Sequence, residues 1–280
     1  MNRYRLRKRL RILLIHLALI TISLLVAAPL IFALIKSTQT TVEVFSYPPK
    51  ITPGHAGMTN YLTAWHHFNL GRLMLNSAYI AVVVTVGKTI ISIFAALALV
   101  YFDFPFKNGI FLFILITLML PVPVRIVPLF DLVRTLKWGD TYWALTIPFF
   151  ASATGTFLFR QHFMSVPSSL VDAARIDGAG PLRFMIQILI PMSMNTIGAL
   201  AVIEVIYMWN QYLWPLIIIS SNDKQVIQLG MKMLVGAGAV GMTNWGVAMA
   251  GAVIAMLPPL IVFLILQEQF MRGFALAGEK

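Results

Sequence analysis

Three charged side chains, Lys88, Arg125 and Glu204, lie within long apolar stretches of this sequence. A charge at the centre of a bilayer costs ~2.5–3.5 kcal/mol on insertion scales, so such residues usually face a cavity or a partner. Two interpretations follow. Either Lys88 and Arg125 line a path for an anionic solute, or Lys88 pairs with Glu204 while Arg125 extends to the external membrane surface. The sequence leaves the roles of Lys88 and Glu204 open.

A cluster of aromatic and amide side chains follows Glu204, from Tyr207 to Trp214, and includes Trp209, Asn210 and Tyr212. Aromatic faces beside amides can hold a polyol on a transport path. The same residues are typical of an aromatic belt at the membrane interface, with the amides bonding between helices. The belt is the commoner arrangement, so a place on the substrate path is the bolder of the two hypotheses.

Enzyme motifs are absent from the sequence, which has no nucleophile elbow, no HExxH and no paired carboxylates in a polar stretch. Residues 87–89 read Gly-Lys-Thr, but valine stands at position 82, where a phosphate-binding loop needs its first glycine. There is no cysteine, and the histidines follow no metal-ligand spacing. We therefore predict that this chain has no catalytic residue and binds no metal ion or cofactor.

Six apolar runs must position the charged residues. The 280-residue chain is 59% hydrophobic and 11% charged, and ~20 apolar residues cross the ~30 Å hydrocarbon layer. Because a spanning segment must satisfy its own backbone, we predict an all-α integral membrane protein in which residues 1–280 form a single transmembrane domain. The six predicted spans are about 12–35, 73–101, 109–130, 142–163, 195–219 and 246–266.

The distribution of positive charge predicts the orientation of the chain. The formal net charge is +11, and six Lys or Arg residues lie among the first eleven, directly before the first apolar run. This is the positive-inside pattern of a membrane protein, and it argues against nucleic acid as a partner. The first run is longer than the ~7–15-residue apolar core of a secretory signal. We therefore predict a retained first span, both termini in the cytoplasm and membrane lipid around the helices.

A polar stretch, residues 164–194, separates the fourth and fifth spans and begins as a short helix. Ser169 and Asp172 fit an S-x-x-D capping box, in which hydroxyl and carboxylate satisfy free N–H groups at a helix start. Leu170, Ala173 and Ala174 follow on one face of this helix, at i, i+3 and i+4. The stretch is thus predicted to be folded rather than a slack loop.

The same stretch predicts a second helix after a tight turn. Gly178 and Gly180 end the first helix, and Pro181 can open the next one as its first residue. The result is a compact helical turn on the cytoplasmic side, held between two membrane helices. Such a turn predicts a docking site for a cytoplasmic partner.

The residues of this turn resemble a known motif. Asp172-Ala173-Ala174, then Gly178, then Ile-Leu-Ile-Pro at 188–191, are similar to the EAA loop in the membrane subunits of ABC importers. Aspartate replaces the usual first glutamate, and isoleucine replaces the usual leucine before the proline. The resemblance implies that the loop inserts into a cleft of an ATP-hydrolysing subunit. It assigns the coupling contacts to Asp172, Ala173, Ala174, Asp177 and Gly178.

The resemblance extends over essentially the whole chain, to the carbohydrate-type permeases that include the G-type subunit of the maltose transporter. It rests on residues 118–126 (LMLPVPVRI), 151–161 (ASATGTFLFRQ), 173–178 (AARIDG) and 209–215 (WNQYLWP). The first segment contains Arg125, which suits a phosphate ester. That segment is especially similar to the permeases of sn-glycerol-3-phosphate importers.

The resemblance to this family implies a transport cycle with several partners. A second, different permease subunit completes the pathway, two copies of a cytoplasmic ATPase subunit hold ATP and Mg, and a periplasmic or extracellular solute-binding protein docks from outside. The complex is expected in the bacterial inner membrane, where it takes up sn-glycerol 3-phosphate or its diesters. A neutral sugar or oligosaccharide is the alternative solute. An ATP-independent channel or carrier, and a scaffold without transport, are alternatives from other classes.

Overall fold

The computed structural model describes residues 2–236 and 243–275, and within these ranges it contains helices and connecting segments but no β-strand. Residues 276–280 of the predicted cytoplasmic tail lie outside the described residues. The α-helices are α1 (Asn2–Ser37), α2 (Thr41–Val44), α3 (Gly57–Leu62), α4 (Leu70–Tyr101), α5 (Lys107–Ile116), α6 (Val122–Thr135), α7 (Tyr142–Thr146), α8 (Ala153–Ser165), α9 (Ser168–Ile176), α10 (Pro181–Phe184), α11 (Ile190–Met192), α12 (Met194–Trp209), α13 (Leu213–Ile218), α14 (Ile227–Gly236) and α15 (Trp245–Ala275).

Four helical segments are long and apolar enough to cross a membrane: Arg7–Ser37, Leu70–Tyr101, Tyr142–Ser165 and Trp245–Gly273. The number rises to six if each of two bent pairs counts as one span: Lys107–Met119 with Pro123–Thr135, and Pro181–Met192 with Met194–Trp209. The prediction of an all-helical protein with several membrane spans is thus confirmed, with four to six candidate spans in the described residues. The six individual spans and their bounds stay predictions.

Each bent pair has a local cause. The first bends by 104° at Pro121, whose backbone is extended (φ −59°, ψ 141°) and whose ring cannot continue an α-helix. The second bends by 73° at Ser193, which leaves helical geometry (φ −90°, ψ 6°). The predicted fifth span is also interrupted, since α12 ends at Trp209 and α13 begins at Leu213. These breaks leave helix termini where a straight span would present side chains alone.

The chain divides into two compact units, one of Met1–Leu70 and Met231–Ala255, the other of Gly71–Gly230 and Met256–Lys280. In the first unit a polar network follows the apolar part of α1. Lys36 Nζ donates to Gln39 Oε1 at 2.9 Å and to the Lys50 carbonyl at 3.0 Å. Asn60 Nδ2 donates to the carbonyls of Ser37 and Gln39, each at 2.9 Å. These bonds order part of the segment between the first and second predicted spans.

The second unit contains two apolar clusters, which α4 and α12 both join. On α4, Val84 belongs to one cluster and Ile93 to the other. On α12, Met208 belongs to the first cluster and Leu200 to the second. The residues midway between these positions on both helices therefore lie in a layer between two apolar regions.

Close packing of α8 depends on Gly155. A Cβ there would lie 2.4 Å from Ser92 Oγ on α4 and 3.1 Å from Leu200 Cδ2 on α12. We expect Gly155→Leu to destabilise the protein by at least ~1–3 kcal/mol, because overpacking forces neighbouring helices apart. Thermal unfolding and the yield of monodisperse protein measure the effect. Gly109→Leu, where no described atom lies within 4 Å of an added Cβ, is the matched control, and equal losses from both changes would contradict the packing argument.

Asp140 joins two interhelical segments of the second unit. Its carboxylate accepts hydrogen bonds from the backbone N–H groups of Ser220 (3.1 Å) and Ser221 (3.0 Å) and from the Ser221 hydroxyl. It also pairs with Lys224 at 3.2 Å. The hydrogen bonds from Ser221, with the hydroxyl first, hold the pKa of the Asp140 carboxyl well below its usual range. The ionised carboxylate is therefore favoured in the folded protein.

We expect Asp140→Asn to lower the unfolding temperature at about pH 7, with the gap to wild type closing as the pH falls. The folded pKa is depressed, so the stabilisation is complete above the unfolded value of about 3.9 and is lost as the pH falls through the folded pKa. Unfolding curves across this range provide the measurement. Asp131 is an exposed carboxylate without a side-chain partner in the described ranges. Asp131→Asn should therefore leave the unfolding temperature unchanged at each pH. If the difference in unfolding temperature between Asp140→Asn and wild type widened at acidic pH, the role of the ionised carboxylate would be contradicted.

Candidate functional site

A cavity of about 800 Å³ lies within the second unit. Small-molecule sites typically measure ~300–1,000 Å³. Helices α4, α5, α6, α8 and α12 contribute to its wall. Its polar lining residues are Lys88, Thr117, Arg125, Ser152, Thr154, Thr156, Glu204 and Tyr207. All three charged residues singled out in the sequence therefore meet at one cavity.

Lys88 and Glu204 form a buried ion pair in the cavity wall. Lys88 Nζ lies 2.5 Å from Glu204 Oε2, and the two side chains are 8% and 5% exposed. The Lys88 ammonium also lies 5.0 Å from the centroid of the Tyr207 ring. Both residues occupy the layer between the two apolar clusters, where an unpaired charge would be costly. The pairing of Lys88 with Glu204, one of the two interpretations of the sequence, is what the structure shows.

Ser152 links this pair to the start of α8. Its hydroxyl donates to Glu204 Oε1 at 3.0 Å. The Ser152 hydroxyl oxygen also accepts a hydrogen bond from the Gly155 backbone N–H at 3.0 Å, which makes Ser152 the N-cap of α8. Helices α4, α8 and α12 therefore meet at one carboxylate, and both oxygens of that carboxylate are satisfied.

Arg125 differs from the other charged lining residues, because its guanidinium has no ion-pair or hydrogen-bond partner within the described ranges. It lies in the first turn of α6, directly after the break at Pro121, and is exposed. The described lining residues carry two positive charges, Lys88 and Arg125, and one negative charge, Glu204, which gives a net charge of +1. The start of α6 adds the positive end of a helix dipole. The cavity therefore favours an anion.

Of the aromatic and amide cluster, Tyr207 lines this cavity, whereas Trp209, Asn210 and Tyr212 are not among its described lining residues. Trp209 is 3% exposed, and Asn210 Oδ1 accepts a hydrogen bond from Gln228 Nε2 at 3.1 Å. Tyr212 packs against the apolar cluster that contains Val84. The places of Trp209, Asn210 and Tyr212 on a substrate path stay predictions.

The polar stretch 164–194 folds into a helical turn, but its first helix starts differently from the prediction. Helix α9 begins at Ser168, and its N-cap is Pro167, with no side-chain cap hydrogen bond from a described residue. Because proline takes the extended backbone of a cap position (φ −58°, ψ 134°), Ser169 is already the second helical residue and cannot cap. The prediction of a capping box formed by Ser169 and Asp172 is wrong.

Most of the residues that the family resemblance assigned to coupling lie on an exposed face of this turn. Four of the five are exposed, namely Asp172, Ala173, Asp177 and Gly178. Ala174 is buried at 6% exposure, in an apolar cluster with residues of α4 and α8. Leu170 and Ala173, predicted on the same face as Ala174, are exposed, as is Ile176 at 86%. The turn is thus anchored to two cavity-lining helices on one side and open to contact on the other.

Gly178 ends α9 in a left-handed conformation (φ +69°). The N–H groups of Gly178 and Ala179 donate to the carbonyls of Arg175 (3.1 Å) and Ala174 (2.9 Å), which is the Schellman arrangement. No described atom lies within 4 Å of a Cβ added at Gly178, so the backbone conformation, not space, requires glycine. Helix α10 then begins at Pro181, and this confirms the predicted helix-turn-helix.

Residues 88–275 match the family model described as binding-protein-dependent transport system inner membrane component. This chain belongs to that family. The permease is 44% identical over 264 residues to the sn-glycerol-3-phosphate transport system permease protein UgpE of Pectobacterium atrosepticum, across 92% of this chain and 94% of the relative. It is 42% identical over 265 residues to the protein of the same name from Agrobacterium fabrum, with the same coverage.

The fold of the permease also occurs in solved transporters. A chain from the crystal structure of a bacterial ABC transporter involved in the import of the acidic polysaccharide alginate aligns with a TM-score of 0.81 and 21% identity, covering 94% of the permease and 97% of that chain. A second alginate transporter structure, in complex with an alginate pentasaccharide-bound periplasmic protein, aligns with a TM-score of 0.67 and 14% identity, covering 97% and 98%. At these identities the likeness shows the fold alone.

Family membership confirms the prediction that this chain is a membrane subunit of an ABC importer. The permease is a multi-pass protein of the inner membrane that works in an importer complex with a binding protein, and ATP hydrolysis lies on a partner subunit. The alternatives of an ATP-independent carrier and of a scaffold without transport are thereby excluded.

One cavity residue, Ser152, was not singled out from the sequence as a candidate for the substrate path, whereas Tyr207 belongs to the predicted aromatic and amide cluster. Ser152 stands three residues before Gly155, which is the spacing between an N-cap hydroxyl and the N–H group that it accepts. The spacing is therefore a local signal for the start of α8 at Ala153, within the predicted fourth span of residues 142–163. Tyr207 follows Glu204 by three helical positions, so the two side chains share a face of α12.

Proposed function

We propose that this permease moves sn-glycerol 3-phosphate, or a closely related phosphate ester, through the cavity of its second unit. The observation that carries the proposal is Arg125, the charged lining residue without a described partner, in a cavity of net charge +1. A guanidinium binds phosphate oxygens in a bidentate fork. Relatives at 42–44% identity are named for transport of this solute, which supports the same solute here.

We further propose that the residues at 164–194 form the coupling loop. The exposed face that holds Asp172, Ala173, Asp177 and Gly178 meets the ATPase subunit. Ala174 packs with α4 and α8, which also line the cavity. A shift of the turn driven by ATP binding is therefore passed directly to the cavity wall. This chain of contacts supports a mechanism in which the cavity opens alternately to the two sides of the membrane.

The remaining organisation follows the family pattern. Residues 1–280 act as one transmembrane domain with six spans, and both termini and the coupling loop lie in the cytoplasm. A second, different permease subunit completes the path, two copies of an ATPase subunit hold ATP and Mg, and the solute-binding protein delivers the solute from the periplasm. The positive charge at the start of α1 and the two bent helix pairs support this arrangement.

The test is the ATPase activity of the reconstituted complex with its binding protein, titrated with sn-glycerol 3-phosphate and separately with maltose. Stimulation by the phosphate ester but not by maltose is expected. Stimulation by maltose alone would establish the neutral-sugar alternative, and Arg125 would then be a structural residue.

A further inference from the structure

We propose that Glu204 lowers the affinity of the cavity for an organic phosphate, so that binding stays weak enough for the solute to be released. This inference rests on the proposed function, because it requires an anionic solute in this cavity. A carboxylate in the wall of an anion path is unexpected, since it repels the solute. Its contacts explain its presence, because Glu204 neutralises Lys88, the second cation of the described cavity wall.

The Lys88 ammonium is already paired with Glu204 in the absence of solute. Glu204 Oε2 lies 2.5 Å from the ammonium, and the Tyr207 ring lies beside it at 5.0 Å. Ser152 donates to the other carboxylate oxygen at 3.0 Å, which holds Glu204 in place against Lys88. A phosphate monoester, with a charge of about −1.5 to −2 near neutral pH, therefore meets one available cation, Arg125, instead of two.

A transport site has to bind its solute well enough to load it and weakly enough to let it leave. Two available cations at one cavity would hold a phosphate more tightly than one, because charges at a protein surface interact through an effective dielectric below that of water. Glu204 removes one of the two without removing the Lys88 side chain from the wall. The ion pair thus reduces the number of cations that bind the phosphate, and fewer charge contacts have to break when the solute is released.

The test combines two measurements on the complete chain. The first is equilibrium binding of radiolabelled sn-glycerol 3-phosphate to the purified permease–ATPase complex without binding protein, and the second is the maximal uptake rate of the full importer in proteoliposomes. Glu204→Gln keeps the side-chain shape and a carbonyl oxygen for Lys88 but removes the charge. Binding should tighten on the order of tenfold, and the maximal uptake rate should fall several-fold because release slows. Unchanged or weaker binding would overturn the proposal.

The double variant Lys88→Met/Glu204→Gln is the matched control, because it restores the net charge of +1. It should bind the phosphate ester within about threefold of wild type. This variant also decides the matter if Glu204→Gln alone does not assemble, since binding reduced to the level of Arg125→Ala would mean that Lys88 holds the solute directly. If wild type binds no sn-glycerol 3-phosphate and Arg125→Ala changes nothing, the proposed function itself fails.

Discussion

Arg125→Ala is expected to lower uptake of sn-glycerol 3-phosphate by about a hundredfold, because it removes a bidentate, charge-assisted contact with phosphate. The cavity would lose its net positive charge, since the remaining charged lining residues, Lys88 and Glu204, neutralise each other. Solute-stimulated ATPase activity should disappear in parallel. Uptake into proteoliposomes at saturating binding protein measures the effect.

One further substitution separates charge from shape at this position, and another on the same helix is the control. Arg125→Lys keeps the charge but loses the planar fork, so an intermediate loss is expected. Arg134→Ala, an exposed arginine of the same helix that does not line the described cavity, should transport like wild type. Wild-type uptake by Arg125→Ala, or an equal loss in Arg134→Ala, would show that the cavity cation is not the phosphate contact.

Gly178→Pro is expected to uncouple ATP hydrolysis from uptake while the complex still inserts into the membrane. Proline fixes φ near −65°, whereas position 178 requires +69°, and proline also lacks the N–H group that bonds to the Arg175 carbonyl. Without the Schellman turn, the exposed face of α9 can no longer keep its orientation to the cavity-lining helices. Uptake should fall to background, and ATPase activity should stop responding to solute.

Gly180→Ala provides the matched control two residues away. Gly180 has an ordinary extended backbone (φ −68°, ψ 166°), and no described atom lies within 4 Å of an added Cβ. Its uptake should stay close to wild type. Gly178→Ala should fall between the two, because a left-handed alanine costs roughly 1–2 kcal/mol. Normal uptake by Gly178→Pro would contradict the coupling role of this turn.

The helical turn shows where local sequence signals suffice and where they do not. Its end was predictable, because the left-handed glycine and the proline at the start of α10 act within a few residues. Its start was mispredicted, because Pro167 and Ser169 both fit a cap position and only the folded backbone chose between them. The exposure of Leu170 likewise depends on which face of α9 packs with α4 and α8, which its own sequence does not specify.

The sequence by itself determined an all-helical membrane protein of the importer permease family, because hydropathy over ~20 residues and motif spacing are local properties. The tertiary structure alone decided which charges meet. Lys88 and Glu204 lie 116 positions apart, on helices that are apolar on every side. Such helices carry no periodic signal for the face that turns inward. Helix rotation and packing therefore paired those two charges and left Arg125 available at the cavity.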